Sequence, residues 1–193
     1  MRNQGLKEKI IIITAPSGSG KTTLVKRLLA ACPGLAFSIS ACTRQPRAAE
    51  VDGRDYYFLD ELRFKELIET DAFVEWEMVY TGKYYGTMKS ELRRIWADDK
   101  YPLVDIDVQG ALAIQTKYPA SSLSIFIKAP SLEVLRERLI QRGTENIHTL
   151  EERINKASFE LSFAEKFDQV IVNDVLETAT IELVRVVENF INS

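Results

Sequence analysis

Apolar residues along this chain occur in two textures that alternate. Unbroken runs such as Ile10 to Ile13, Pro102-Leu103-Val104 leading into Asp105, Leu123 to Lys128 and Gln169 to Asn173 read as strands buried on both faces. Ala36 to Ser40 alternates apolar and polar residues and reads as a half-buried strand. Between these runs the spacing becomes helical: from Lys21 to near Cys32-Pro33-Gly34, from Gln109 to Lys117, through Leu132, Leu135, Leu139 and Ile140, and from Glu177 to Ile191. Helix starts are marked as well. Ser131 stands as an N-cap, and Thr149-Leu150-Glu151-Glu152 matches a capping box ahead of Ile154, Ala157, Leu161 and Ala164.

Strands alternating with helices through short links predict an α/β fold, with a five-stranded parallel sheet flanked by helices and joined by right-handed crossovers. This core is expected over about 1–40 and 88–193. The intervening stretch breaks the alternation. It holds a polar, basic loop from Thr43 to Asp55, a helix capped by Asp60 through Leu62, Phe64, Leu67 and Ile68, an extended Phe73 to Trp76, and a turn-like aromatic Thr81 to Gly86. A helix is expected from Thr87 to Ala97. The stretch of about 41–87 is therefore expected as a small lobe, and the polar break of about 141–150 as a lid.

Composition narrows the functional classes. The chain has 193 residues, enough for one domain with a substantial core, and its ordinary balance of charged and apolar residues argues against disorder or membrane spanning. A net charge of -3 speaks against a nucleic-acid backbone as partner but allows a local basic patch for a small anion. Cys32 and Cys42 have no paired Cys/His spacing, so neither disulfides nor zinc are expected, and the N-terminal apolar run is too short for a signal peptide. Cytoplasmic localisation is the expectation.

The chemistry concentrates where the first strand ends. Ala15-Pro16-Ser17-Gly18-Ser19-Gly20-Lys21-Thr22-Thr23 joins that strand to a helix through a glycine-rich turn, the setting of a phosphate-binding P-loop. Small residues let successive amides face a polyphosphate, and the helix directs its positive end at the same anion. Lys21 adds a mobile charge, and Thr22 offers a hydroxyl for Mg²⁺. Ala15 occupies a position usually held by glycine, which is harmless at negative φ and strained at positive φ. A plain glycine turn explains the glycines but not the Lys-Thr pair. The P-loop, Ser40, Asp105 and Asp107 all fall at carboxyl ends of predicted strands, where parallel sheets present ligands.

The run from Ser38 to Phe58, including Ser38-Ile39-Ser40, Thr43-Arg44-Gln45-Pro46-Arg47 and Glu50-Val51-Asp52-Gly53, resembles the acceptor segment of the guanylate kinase family. The resemblance continues through Phe73-Val74-Glu75-Trp76, Tyr84-Tyr85-Gly86-Thr87, Asp105-Ile106-Asp107-Val108-Gln109-Gly110, Arg142-Gly143-Thr144-Glu145 and Val172-Asn173-Asp174, so it covers nearly the whole chain. It implies transfer of the γ-phosphoryl group of ATP, with Mg²⁺, to GMP, and to dGMP as well. Arg44 and Arg47 are implied as forks for the acceptor phosphate, aided by Tyr56 and Tyr85. Glu75 is implied as the reader of the guanine edge, whose N1–H and NH₂ form a donor pair, with Ser40, Gly86, Thr87, Asp105 and Asp107 completing the acceptor site. Lys21, Arg44, Arg142 and Arg153 are implied as the charges around the transferring group, Arg138 is a weaker candidate, and Asn173 is placed near the adenine.

Each assignment has a plainer counterpart. The basic loop can be a solvated turn, Glu75 a surface strand residue, and Asp105 and Asp107 simple helix caps. His148, the one histidine, is read as a lid or surface residue. Two rival functions stay open at this point. A P-loop kinase for another acceptor would keep Lys21 without needing Glu75, and a catalytically silent binding module would use only the acceptor lobe.

Overall fold

The four isoleucines of the first strand explain the layering. The computed structural model describes residues 8–141 and 147–193, so Arg142 to Glu145, within the expected lid, lie outside the described residues. Strand β1 (Ile10–Thr14) is buried along its whole length. Its side chains alternate between two apolar layers: Ile11 and Ile13 pack with Leu24, Val25 and Leu28 on one face, and Ile10 and Ile12 with Leu92, Ala111 and Ile114 on the other. A strand with no polar face belongs in the interior of a sheet covered on both sides.

That is its position. Strands β2 (Leu35–Phe37), β7 (Tyr101–Asp105), β8 (Ser122–Lys128) and β9 (Gln169–Val172) join it in the order β2-β7-β1-β8-β9, with every pairing parallel. Helix α1 (Lys21–Ala31) and the terminal helix α7 (Leu176–Asn192) supply the layer around Ile11, with Ala179, Leu183 and Val187 contributed by α7. Helices α3 (Lys89–Ala97) and α4 (Val108–Lys117) cover the opposite face. The chain leaves β1 toward β2 on one side and leaves β8 toward β9 on the other, so the carboxyl ends around β1 open onto a crevice.

A second sheet is built from β3 (Ala41–Cys42), β4 (Tyr57–Phe58), β5 (Phe73–Tyr80) and β6 (Lys83–Met88), in the order β4-β3-β6-β5. Helix α2 (Glu61–Glu69) packs Phe64 against Phe73, ring centroids 4.4 Å apart, and Asp60 caps it by accepting from the Arg63 amide at 2.7 Å.

Several expected boundaries change. Thr81 to Gly86 is not a loop: the turn is confined to Thr81 and Gly82, with Gly82 at φ 71°, and β6 starts at Lys83. The aromatic and β-branched content of Tyr84-Tyr85-Gly86-Thr87 suits a strand, and Thr87 therefore lies within β6 instead of opening α3. The strand expected over Ala36 to Ser40 stops at Phe37, and the chain crosses to the second sheet, the Tyr57 amide donating to the Ser40 carbonyl at 2.9 Å. Helix α5 (Leu132–Gln141) runs into the expected lid from one side, and α6 (Ile147–Leu161) begins ahead of Thr149 on the other, so the expected capping box lies inside the helix. Among the described residues no helix is long and apolar enough to cross a membrane.

One buried carboxylate joins the two sheets. Glu91, 2% exposed on α3, accepts from the Ile39 amide at 3.1 Å, the Tyr57 hydroxyl at 3.0 Å, and Arg94 Nε and Nη2 at 3.0 and 2.8 Å. Burial alone would raise its pKa, but the donors from Arg94, Ile39 and Tyr57 outweigh it and hold the carboxyl below the ordinary carboxylate value. A depressed carboxylate stabilises the fold above its unfolded pKa and loses that contribution as pH falls through the folded value. Glu91→Ala should cost about 2–3 kcal/mol at neutral pH in urea melts, because it orphans buried donors while half-exposed Arg94 is rehydrated. The gap from wild type should narrow at acid pH.

Candidate active site

The turn after β1 is shaped by two left-handed glycines, Gly18 at φ 92° and Gly20 at φ 87°. Among the described residues, the only non-glycines at positive φ are Asp71 and Asp99, so Ala15 sits in ordinary backbone and its methyl is tolerated without strain. Gly20 is the N-cap of α1, and no side chain caps the helix, so its first amides face the crevice end of β1 without a side-chain acceptor. Thr22 and Thr23 are exposed in the first turn, as is Ser17 in the loop, whereas Pro16 and Ser19 are buried. The Thr14 and Ser19 hydroxyls are buried without a hydrogen-bond partner in the chain.

Asn173 stands behind this loop. Its side-chain amide donates to the Ser19 carbonyl at 2.8 Å, and its own carbonyl accepts from Arg138 Nη2 at 3.0 Å. A Cβ on Gly20 would collide with that amide nitrogen. The structure thus shows Asn173 and Arg138 bracing the loop from the rear.

Lys21 forms an ion pair with Asp105, the last residue of β7. Register explains the meeting, since Ile13 pairs with Asp105 across β1 and β7. Asp107 does something else, its Oδ1 accepting from the Gly110 amide at 2.9 Å as the N-cap of α4. Two acids whose roles are interchangeable in the sequence are separated by their backbone positions.

Beside the loop lies a cavity of about 400 Å³. Of the expected site residues, Lys21, Thr22, Ser40, Tyr56, Glu75, Tyr85, Gly86, Asp105 and Asp107 line it. Arg44 stands just behind, its guanidinium 4.7 Å from the Tyr56 ring centroid. Thr87 is fully buried and pairs across the strands with Glu75. Arg47 is exposed on the loop before Glu50, and Arg153 is exposed on α6; neither lines the cavity.

Two side chains in the site contrast sharply. Arg44 is held by Glu50 in a two-pronged pair, Nη1 to Oε2 at 2.6 Å and Nη2 to Oε1 at 2.7 Å, while Glu50 also accepts the Arg47 amide at 2.8 Å. The Arg44 bonds, then the Arg47 amide, pull the Glu50 carboxyl down to about 2, and the bond to Glu50 pushes the Arg44 guanidinium up. Glu75 is the opposite. Its Oε1 is buried without a partner, and so is the Thr87 hydroxyl. Burial pushes its carboxyl up to about 7, with the Asp107 charge adding and nearby Thr87 opposing. Two glycines make its space: a Cβ on Gly110 would stand 2.9 Å from Glu75 Oε2, and one on Gly86 would stand 2.9 Å from the Glu75 carbonyl.

Sequence reasoning passes over Glu50, Glu77 and Lys156. Glu50 lies inside the basic run, and its spacing from Arg44 around Pro46 is the signal that could have found it. Glu77 and Lys156 line the cavity, but each reads in sequence as one more exposed charge.

A P-loop at the carboxyl edge of a parallel sheet, beside a cavity lined by cations and by a carboxylate with one partnerless oxygen, defines a P-loop kinase with a site for a small acceptor. The guanylate kinase family profile matches residues 7–190. The chain is 47% identical to the guanylate kinase of Porphyromonas gingivalis (95% of this chain, 98% of that one) and 46% identical to that of Bacteroides fragilis (95% and 90%), and it superposes on the crystal structure of guanylate kinase from Anaplasma phagocytophilum with a TM-score of 0.74 at 30% identity over 94% and 85%. The chain belongs to the guanylate kinase family, and its activity is ATP:GMP phosphotransfer. A shikimate kinase from Bacteroides thetaiotaomicron, at 16% identity and a TM-score of 0.52 over 93% of this chain and 98% of that one, shares the fold alone.

Gly20→Ala combines a strained φ with a collision against Asn173. It should weaken ATP binding by at least about tenfold in calorimetry. Unchanged affinity would show that loop geometry does not limit nucleotide binding.

Proposed function

We propose that GMP occupies the cavity with its guanine edge on Glu75 and its phosphate toward Arg44, Arg47, Tyr56 and Tyr85. The observation that carries this reading is the partnerless Glu75 oxygen beside the partnerless Thr87 hydroxyl. A buried acceptor of this kind calls for a ligand with donors, and guanine presents N1–H and NH₂ side by side, whereas adenine has an acceptor at N1. Ser40 and Asp107 line the same cavity and supply further polar contacts to the base.

On the donor side, Lys21 and the backbone N–H groups of residues 15–23, Pro16 having none, hold the ATP phosphates, with Asp105 paired to Lys21 and orienting it. Thr22, exposed in the first turn of α1, fits a hard cation that takes few protein oxygens and several phosphate oxygens. Mg²⁺ bound there with ATP would neutralise charge on the β- and γ-phosphates. Arg142 and Arg153 are assigned to the γ-phosphoryl group, and Asn173 to the loop it supports. Arg44 keeps donors beyond the two that Glu50 engages, so Glu50 can hold the fork in place while Arg44 meets the acceptor phosphate. No covalent intermediate is needed: the GMP phosphate oxygen is placed in line with the γ-phosphorus, and the surrounding cations take up the charge. ATP and GMP are the partners in this reading, with no nucleic acid and no membrane surface, and the reaction is placed in the cytoplasm.

A coupled assay of ADP formation with GMP, AMP and UMP tests the reading. GMP should be used at least about a hundredfold better than AMP, and Glu75→Gln should erase most of that preference, because a site built for a donor pair strands its carboxylate against the wrong base. AMP performing as well as GMP would end it.

The Glu75 carboxyl, pushed up to about 7, must ionise to accept two donors. The protonated form is populated below that value, so KM for GMP should rise as pH falls, by up to about tenfold per pH unit. The GMP phosphate itself titrates near 6. The comparison is therefore with Glu75→Gln, whose profile should keep only the phosphate's contribution.

A further inference from the structure

The β5/β6 register places in the cavity a carboxylate that phosphoryl transfer itself does not use. Glu75 pairs with Thr87 and Glu77 with Tyr85, with no irregularity between the two pairs. Cross-strand partners share a face of the sheet, and so do residues two apart on one strand. Glu75, Glu77 and Tyr85 accordingly line the same cavity. Glu77 lies about 7 Å beyond Glu75 along β5, on the side toward Tyr85.

Chemistry gives this position a meaning, and the inference rests on the acceptor-site reading above. There, Glu75 and Thr87 take the base, and Tyr85 with Tyr56 and Arg44 takes the phosphate. A nucleoside monophosphate carries its sugar between those two ends, so the sugar lies over the step from the first strand pair to the second. Beside Glu77 in the lining stand Asp107 and Lys156, and the three continue with Glu160 and Val108 into a side recess of about 200 Å³. The Glu77 carboxyl is raised by burial and then by the Asp107 carboxylate beside it, with Lys156 pulling the other way. Asp107 engages one oxygen on the Gly110 amide, and its side chain also hydrogen-bonds with Glu77. The wall beside the sugar is thus rich in acceptors, and the donors a ribose offers are its two neighbouring hydroxyls.

We propose that Glu77 accepts the ribose hydroxyls of the acceptor nucleotide and makes this kinase distinguish ribonucleotide from deoxyribonucleotide acceptors. Glu75 selects the base, and Glu77 selects the sugar. The two selections are separable because their side chains belong to different cross-strand pairs.

The test measures kcat/KM for GMP, dGMP and AMP with the full chain as wild type, Glu77→Ala and Glu77→Gln. Wild type should prefer GMP over dGMP by at least about tenfold, the scale of a hydrogen bond to a charged acceptor. In Glu77→Ala that ratio should fall toward one while the preference for GMP over AMP persists. Glu77→Gln keeps one acceptor oxygen and should give an intermediate ratio, which a purely structural role would not produce. A wild type indifferent to the 2′-hydroxyl, or a GMP/dGMP ratio unchanged in Glu77→Ala, overturns the proposal. Should Glu77→Ala fail to fold in a thermal melt, Glu77→Gln decides by the same ratio. Failure of the underlying acceptor-site reading looks different: AMP would match GMP in the wild type whatever the sugar ratio.

Discussion

The burial of β1 on both faces is the constraint from which the site follows. Four consecutive isoleucines leave this strand no face to show to water, so it must lie inside a parallel sheet with helices above and below. Its carboxyl end then opens in the middle of the sheet edge, where the chain must turn tightly and enter a helix. Register carries the consequence outward. Because Ile13 lies beside Asp105, an acid arrives next to the first residue of α1, and Lys21 is provided with a partner within the chain. Ile13 also pairs with Ile125 on the other side, and from β8 the sheet reaches β9 and Asn173, which closes the loop from behind.

The charges around the cavity are prepared in two different ways. Arg44 is matched within the chain by Glu50, stacked on Tyr56 and fixed in direction, so an arriving phosphate meets a fork that has already lost much of its rotamer freedom. Glu75 is prepared by withholding a partner. Its surroundings remove more hydration than nearby Thr87 gives back, Oε1 is left without a partner, and the cost appears as a carboxyl raised to about 7. The first arrangement favours any phosphate ester, and the second favours only a ligand with paired donors. In the proposed acceptor site, binding strength and choice of base therefore come from separate parts of one cavity.

This division is partly legible in the sequence. The P-loop, the β1 run and the α/β alternation are readable because each rests on local periodicity or turn chemistry. Glu75 can be singled out because an acid among Phe73, Val74 and Trp76 is locally inconsistent, and such inconsistencies tend to be functional. Tyr85 and Thr87 read as a turn and a helix start because a short strand closing a hairpin leaves few periods to count, and only pairing with β5 shows its face. The separate duties of Asp105 and Asp107 are unreadable for a related reason: two residues apart at a strand's end, they differ only in which backbone they meet after folding. Glu50 and Glu77 are hidden in charged surroundings, since sequence does not tell a paired or cavity-facing acid from a solvated one.

In the proposed reading, Glu75 also ties base recognition to the arrangement of the two sheets. It belongs to β5 of the smaller sheet, yet its carboxylate is received against Gly110 at the start of α4, on the core. Its burial exists only while these walls face each other, with Glu91 holding Ile39 and Tyr57 at their junction. A base that supplies two donors makes the facing arrangement favourable, because the buried oxygens are then satisfied. A base that supplies none leaves the chain to protonate Glu75 or to separate the walls and rehydrate it. The wrong base thus works against the same closed geometry that would bring its phosphate into line with Lys21, and selectivity is exerted on the assembly of the site as well as on binding to it.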